Sequence, residues 1–224
     1  MTAAARNTDL ESRDIAQSDT LDFHASAPQA ARCFMATEYM ALRRFKFIHE
    51  MACGDGALVL PLRAAGYNVI ASDIVDRGCP DSHVQDFLAP GFGPSDAAQR
   101  RRIAGFTNPP FNRACEFIVK GCAQYDYLAM VLRFRFRAAK QLVTPEGVKD
   151  LAHGKPLWRT TRIPLARMIV PKARWPMMHR DGYAGPRTDS STIDFAIFVW
   201  EAGHSGPPLI IDEPDDRYSQ EQQS

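Results

Sequence analysis

Seven residues closing a strand-like run, Glu50-Met51-Ala52-Cys53-Gly54-Asp55-Gly56, restrict the fold of this 224-residue chain more than any other feature. Residues 46–52 read as a strand. Residues 57–65 carry apolar side chains at helical spacing and stop at Gly66, and residues 67–73 read as a second strand ending on Asp73. Strand, glycine turn, helix and strand in that order form the repeating unit of an open parallel sheet, whose ligands bind outside the carboxyl ends of the strands. Glycines let the backbone turn sharply there and let a ligand approach it closely.

The rest of the chain extends that pattern. Residues 27–45 are helix-like, 83–87 a short strand, 104–107 a strand, 113–123 a helix and 127–134 a strand, followed by β-rich runs at 166–170 and 192–200. Such alternation predicts an α/β fold with a mostly parallel sheet and helices on both faces. Residues 1–20 are polar and lack periodicity, and residues 203–224 are rich in Pro, acid and Gln. Both read as flexible tails around a single domain at 21–202. Hydrophobic residues make up 45% and charged residues 24% of the chain, which excludes a disordered or collagen-like polymer. No apolar run approaches the roughly 20 residues that cross a bilayer, and the N-terminus lacks the apolar segment of a secretory signal. The five cysteines (33, 53, 79, 115 and 122) form no C-x-x-C pair, which argues against a disulfide framework or zinc site and for a reducing cytoplasm. The six histidines show no ligand spacing and read as surface or helix residues, so no metal is expected.

Two strand ends carry chemistry. A dinucleotide fingerprint, G-x-G-x-x-G, needs a third glycine where this chain has Val59. Glu50 and Asp55 would repel a pyrophosphate but suit a ligand bearing an ammonium and a sulfonium. Asp73, 17 residues past Gly56, stands where an acid accepts hydrogen bonds from a ribose diol. After the 104–107 strand comes Asn108-Pro109-Pro110-Phe111. Two prolines hold their carbonyls rigidly, Asn108 adds a side-chain acceptor and Phe111 adds a flat stacking face. Together they can grip a planar group bearing an NH₂. A tight strand–helix turn and a Pro-Pro helix start are the plainer alternatives for each motif taken alone.

Charge is segregated. Between Arg133 and Arg187 there are 13 Lys and Arg against 3 acids, whereas the remainder holds 14 basic and 23 acidic residues. Arg133, Arg135, Arg137, Arg159, Arg162, Lys172 and Arg174, interleaved with aromatic residues including Trp175, form the pattern of a nucleic-acid surface. A solvated charged surface is the alternative.

Taken together, Glu50-x-Ala-Cys-Gly-x-Gly56, Asp73 and Asn108-Pro-Pro-Phe111 resemble the class I S-adenosylmethionine-dependent methyltransferases. They are most similar to the adenine amino methyltransferases of DNA, particularly small phage- and prophage-borne ones. Thr188-Asp189-Ser190-Ser191 and Phe198-Val199-Trp200 look like the closing strand region of those proteins. The resemblance implies a Rossmann-like fold with a seven-stranded sheet, S-adenosyl-L-methionine as cofactor, and a cytoplasmic enzyme methylating the exocyclic amine of adenine in DNA. It implies that Glu50, Ala52, Cys53, Gly54, Asp55 and Gly56 hold the methionine end, that Asp73 holds the ribose, and that Asp86 and Phe87 contact the cofactor's adenine. Asn108 and the Pro109 carbonyl would hold the target amine beside Pro110, and Phe111 would stack on the target base. Residues 22–28 match the family's Tyr-x-Thr-Pro segment only in part, with His24 and Ser26 departing from it. Cys79-Pro80 reverses the Pro-Cys order of cytosine-C5 enzymes, so Cys79 reads as structural. Protein glutamine, RNA adenine and a catalytically silent nucleic-acid-binding module on the same fold are the competing readings.

Overall fold

A computed structural model describes residues 26–138, 141–144, 147–150, 161–175 and 194–214. Ten strands and four helices occur among them. In chain order these are α1 (Pro28–Leu42), β1 (Phe47–Glu50), α2 (Val59–Ala64), β2 (Val69–Asp73), β3 (Ser82–Val84), α3 (Ala97–Arg100), β4 (Ile103–Thr107), α4 (Ala114–Gln124), β5 (Tyr127–Arg133), β6 (Gln141–Thr144), β7 (Gly147–Asp150), β8 (Leu165–Val170), β9 (Phe195–Glu201) and β10 (Leu209–Asp212). Eight strands form one sheet in the order β10-β8-β9-β5-β4-β1-β2-β3, and β6 and β7 form a separate hairpin. β9 runs antiparallel to both β5 and β8, and every other pair in the large sheet is parallel.

The sheet has eight strands where the sequence predicts seven. The added strand, β10, comes from residues 203–224, read as a tail. Its Leu209–Asp212 run pairs with Arg167–Val170 of β8 despite largely exposed side chains, so backbone hydrogen bonding on an open sheet edge holds it. The tail at 1–20 lies outside the described residues.

Period-two alternation divides the core. Tyr127, Ala129 and Val131 of β5, with Phe195, Ile197 and Val199 of β9, face the layer of α1 and α2. Leu128, Met130 and Leu132, with Ala196, Phe198 and Trp200, face α4. β5 is buried on both faces, which explains its unbroken apolar reading, as central strands of parallel sheets require. Phe34 of α1 stacks on Phe106 of β4 with centroids 3.8 Å apart.

Two packing details set stability. A Cβ at Gly121, in the middle of α4, would lie 2.7 Å from Leu128 Cδ2, and Leu128 is itself fully buried and has no room to yield. Gly121→Ala is therefore expected to lower stability by about 1–3 kcal/mol, although Ala is the better helix former. A denaturant titration giving equal or higher stability for the variant would contradict this packing. On the opposite layer, Arg167 Nε donates to Glu38 Oε1 at 2.7 Å and Nη1 donates to Glu201 Oε2 at 2.6 Å, while the Tyr127 hydroxyl donates to Glu38 Oε2 at 2.7 Å. Burial opposes the charge on Glu201, but hydrogen bonds from Arg167 and Arg44 outweigh it and hold the carboxyl below its ordinary value. Arg167→Ala would strand the buried Glu38 carboxylate. A loss of about 3–5 kcal/mol is expected, a drop in Tm of roughly 6–20 °C by circular dichroism.

Candidate active site

Strand order reverses between β1 and β4. From β1 the chain proceeds outward to β2 and β3, and from β4 it proceeds the other way to β5. In register, Phe47 pairs with Ile103 and His49 with Gly105, so the carboxyl ends of β1 and β4 lie side by side. The crevice at such a switch point is where open α/β sheets take ligands. This brings the glycine loop at residues 51–56 and the Asn-Pro-Pro corner, more than 50 residues further on, to one place.

The loop is shaped by glycines with positive φ, 53° at Gly54 and 89° at Gly56, which side chains with a Cβ rarely adopt. Its backbone is tied down on both sides. The Gly54 N–H donates to Asp73 Oδ2 at 2.8 Å, the Cys53 N–H to the Ser72 carbonyl at 2.9 Å, and the Ala52 N–H to Glu50 Oε1 at 3.0 Å. Asp73 also accepts the Val75 N–H through Oδ1, so one carboxylate orders the ends of both β1 and β2. Burial raises the Asp73 pKa against these hydrogen bonds. Glu50 is more deeply buried, and burial pushes its carboxyl up to about 8.

One cleft joins the two motifs. Its space, the open mouth included, comes to about 830 Å³. One wall is Met51, Ala52, Cys53, Gly54 and Asp55, and Asp73 with Ile74 and Arg77 continues it. Asp86, Phe87 and Phe117 form the apolar end, and Ser26, Asn108, Pro109, Pro110, Asn112 and Arg113 form the other wall. Asn108 is buried, and its Nδ2 donates to Ser26 Oγ at 3.0 Å, which fixes the amide plane. The Pro110 carbonyl accepts the Arg113 N–H at 3.0 Å and closes the turn into α4.

Several expected site residues sit elsewhere. Glu50 does not line the cleft but lies behind the loop, holding the Ala52 N–H from within the core. Gly56 packs against Cys79, where a Cβ would meet Sγ at 3.1 Å. Phe111 is not an open stacking face: its ring lies 5.6 Å from the Phe195 ring, and the Arg133 guanidinium covers it at 4.5 Å. Trp175 is a core residue packed in the α1 layer, so it offers no exposed ring. Arg162 points away from the site, donating to the Cys122 and Tyr125 carbonyls and to Asp126 at the far end of α4. His49 is no surface residue: it is buried in β1 between the Tyr125 hydroxyl at 2.6 Å and Ser72 Oγ at 3.1 Å, and burial lowers its pKa to about 4. The Arg137 side chain, Arg159, His24 and residues 188–191 lie outside the described residues.

The remaining basic residues gather. Arg133 ends β5 and Arg135 lies in the turn after it, while Lys172 and Arg174 follow β8, whose carboxyl end lies on the same edge of the sheet. A depression of about 590 Å³ there is lined by Phe134, Val170, Pro171, Lys172, Arg174, Asp194 and Phe195. Arg174 Nε pairs with Asp194 at 2.7 Å. Ile74, Arg77, Asn112, Arg113 and Phe117 are cleft residues that motif reading omits, and Ser26 lines the cleft although it departs from the family's entry segment. All of the omitted residues but Phe117 follow a motif or its strand-end acid within four residues. Among the described residues no group of three His, Cys, Asp or Glu side chains approaches metal-binding geometry, the five cysteines are buried and form no disulfide, and no helix is long and apolar enough to cross a membrane.

No protein-family profile and no curated protein sequence matches the chain. Solved structures do. A protein of Pyrococcus horikoshii described as a candidate RNA methyltransferase superposes with a TM-score of 0.54 at 12% identity, over 81% of this chain and 87% of that one. The fold is that of the Rossmann-like methyltransferases. Weaker likenesses include the Synechocystis magnesium protoporphyrin IX methyltransferase with bound S-adenosylmethionine (TM-score 0.47, 15% identity, 79% of each chain). The 23S rRNA methyltransferase ErmE is at a similar distance (TM-score 0.47, 16% identity, 90% of this chain and 76% of that one).

Proposed function

We propose that the protein transfers a methyl group from S-adenosyl-L-methionine to the exocyclic amine of adenine in a nucleic acid, with DNA as the substrate. One observation carries this reading: the glycine loop with Asp73 and the Asn108-Pro109-Pro110 corner form facing walls of a single cleft. The residues present fit the cofactor. Asp55 and Asp73 favour a cationic ligand over a pyrophosphate, and Ile74, Phe87 and Phe117 supply apolar surface for an adenine ring. When bound, S-adenosylmethionine supplies an electrophilic methyl carbon. The protein's own part is positioning. The Asn108 side-chain oxygen and the Pro109 carbonyl accept the two N–H bonds of the target amine, localising its lone pair and aiming it in line. Positioning of this kind contributes up to roughly 7–11 kcal/mol, so no covalent nucleophile is required. Arg133, Arg135, Lys172 and Arg174, on the same sheet edge, supply cations for the phosphate backbone.

Labelled methyl transfer from S-adenosylmethionine to DNA, RNA and an extract of protein, run in parallel, tests the reading. Acid-stable label on N6 of adenine in DNA is the expected result. Label confined to RNA moves the substrate assignment to RNA adenine, label on protein glutamine replaces it, and no label anywhere leaves a binding module.

A further inference from the structure

The aromatic residue of the Asn-Pro-Pro-Phe corner is occupied in this structure by the protein's own arginine. The Arg133 guanidinium lies 4.5 Å from the Phe111 ring centroid, and a guanidinium is planar and matches part of the footprint of a nucleobase on an aromatic ring. Arg133 belongs to the α1 face of β5 by strand alternation, the same layer into which Phe111 and Phe195 pack. The cleft described above extends on the other side, toward Met51, Phe87 and Phe117 of the α4 layer. Asn108-Pro109-Pro110 thus stands between the cleft and the Phe111 ring with the Arg133 guanidinium over it.

Arg133 is not held like the structural arginines of this fold. Arg167 and Arg162 place their donors on carboxylates and carbonyls. The buried Nε–H of Arg133 meets no acceptor among the described residues. A guanidinium over a ring with an unsatisfied donor gives up little on leaving, and gains whenever an anion comes within reach. The depression beside it, with Lys172 and Arg174 on its wall, is the direction from which a phosphate backbone would come.

We infer that Arg133 is a placeholder on Phe111: it occupies the stacking position of the target base in the substrate-free protein and is displaced onto the substrate's phosphate when the base enters. This rests on the adenine reading proposed above. Arg133 is a positioning residue, and its two roles carry opposite signs. For a base without phosphate it is only a competitor, whereas for a phosphate-bearing strand it is both competitor and new partner.

The test measures binding of 2-aminopurine riboside by fluorescence, with S-adenosylhomocysteine present, to the wild type, Arg133→Lys and Arg133→Gln. Arg133→Gln is expected to bind the riboside roughly three- to tenfold more tightly, the weight of a cation–π contact removed, and Arg133→Lys to gain less, because a lysine ammonium keeps part of that contact. For a 2-aminopurine DNA oligonucleotide, Arg133→Gln is expected to bind more weakly with a salt slope smaller by about one, while Arg133→Lys retains the slope. In the wild type alone, the riboside 5′-monophosphate is expected to bind more tightly than the riboside, which needs no variant. Riboside affinity unchanged or weakened in both variants, with S-adenosylhomocysteine binding intact, overturns the inference, as does equal binding of riboside and monophosphate by the wild type. Failure of the wild type to methylate any polynucleotide would instead remove the adenine reading itself.

Discussion

Asn108→Ala is expected to slow methyl transfer by roughly 10²- to 10³-fold while leaving cofactor binding within about twofold. The side chain sits on the wall of the cleft facing the glycine loop, and its amide is oriented by donation to Ser26 Oγ at 3.0 Å. In the proposed reaction its oxygen accepts one hydrogen of the target amine, an interaction that strengthens as the nitrogen becomes electron-poor in the transition state. Removing one preorganised hydrogen-bonding partner of this kind costs roughly 10²- to 10³-fold in kcat. In the proposed site the cofactor is held by the loop at residues 51–55 and by Asp73, which the substitution does not touch. Ser26→Ala should act through Asn108 and cost less, about fivefold, the worth of one neutral hydrogen bond. Single-turnover kinetics with calorimetry of cofactor binding checks both. An Asn108→Ala protein with near wild-type kcat would leave the Pro-Pro corner without its assigned role.

The second large effect is a proton released on cofactor binding. Burial raises the Glu50 carboxyl to about 8, against about 4.3 in an unfolded chain, so it is largely protonated at pH 7. The raised value has a definite sign for stability. The favourable contribution is present in full below pH 4.3 and is lost as pH rises toward 8, so the cofactor-free protein should weaken across that range. A cationic ligand on the loop in front of Glu50 reverses this by favouring the carboxylate. Affinity for S-adenosylmethionine is therefore expected to rise by up to about tenfold per pH unit between pH 6 and 7.5. Calorimetry in buffers of different ionisation enthalpy should show close to one proton released, and Glu50→Gln should flatten the profile. A flat profile in the wild type would mean that Glu50 does not sense the ligand.

Much of the candidate cleft is legible in the sequence. Gly54 and Gly56 have the positive φ that a tight strand–helix turn demands, Asp73 ends β2 beside them, and Asn108 follows β4. Each is a local matter, written in adjacent residues by backbone sterics and by the period of apolar side chains. Phe111, Trp175 and Arg162 read differently in the fold because their roles depend on distant partners. Phe195 and Arg133 cover Phe111, the α1 layer buries Trp175, and the end of α4 claims Arg162. No pattern within a window of ten or twenty residues carries such contacts. β10 escaped notice for a related reason: a short strand added to an open edge is held by its neighbour's backbone, and the composition of its own side chains says little.

Local sterics and periodicity fix the alternation of strands and helices, the left-handed glycines of the turn and the groups that stand at each strand end. Long-range packing places the β1 and β4 loops on one cleft, Glu50 behind its loop and Arg133 over Phe111. Those outcomes hinge on which strands become neighbours when the apolar faces of the sheet are buried. That choice balances the whole core against chain entropy, and no single segment holds enough of the core to settle it.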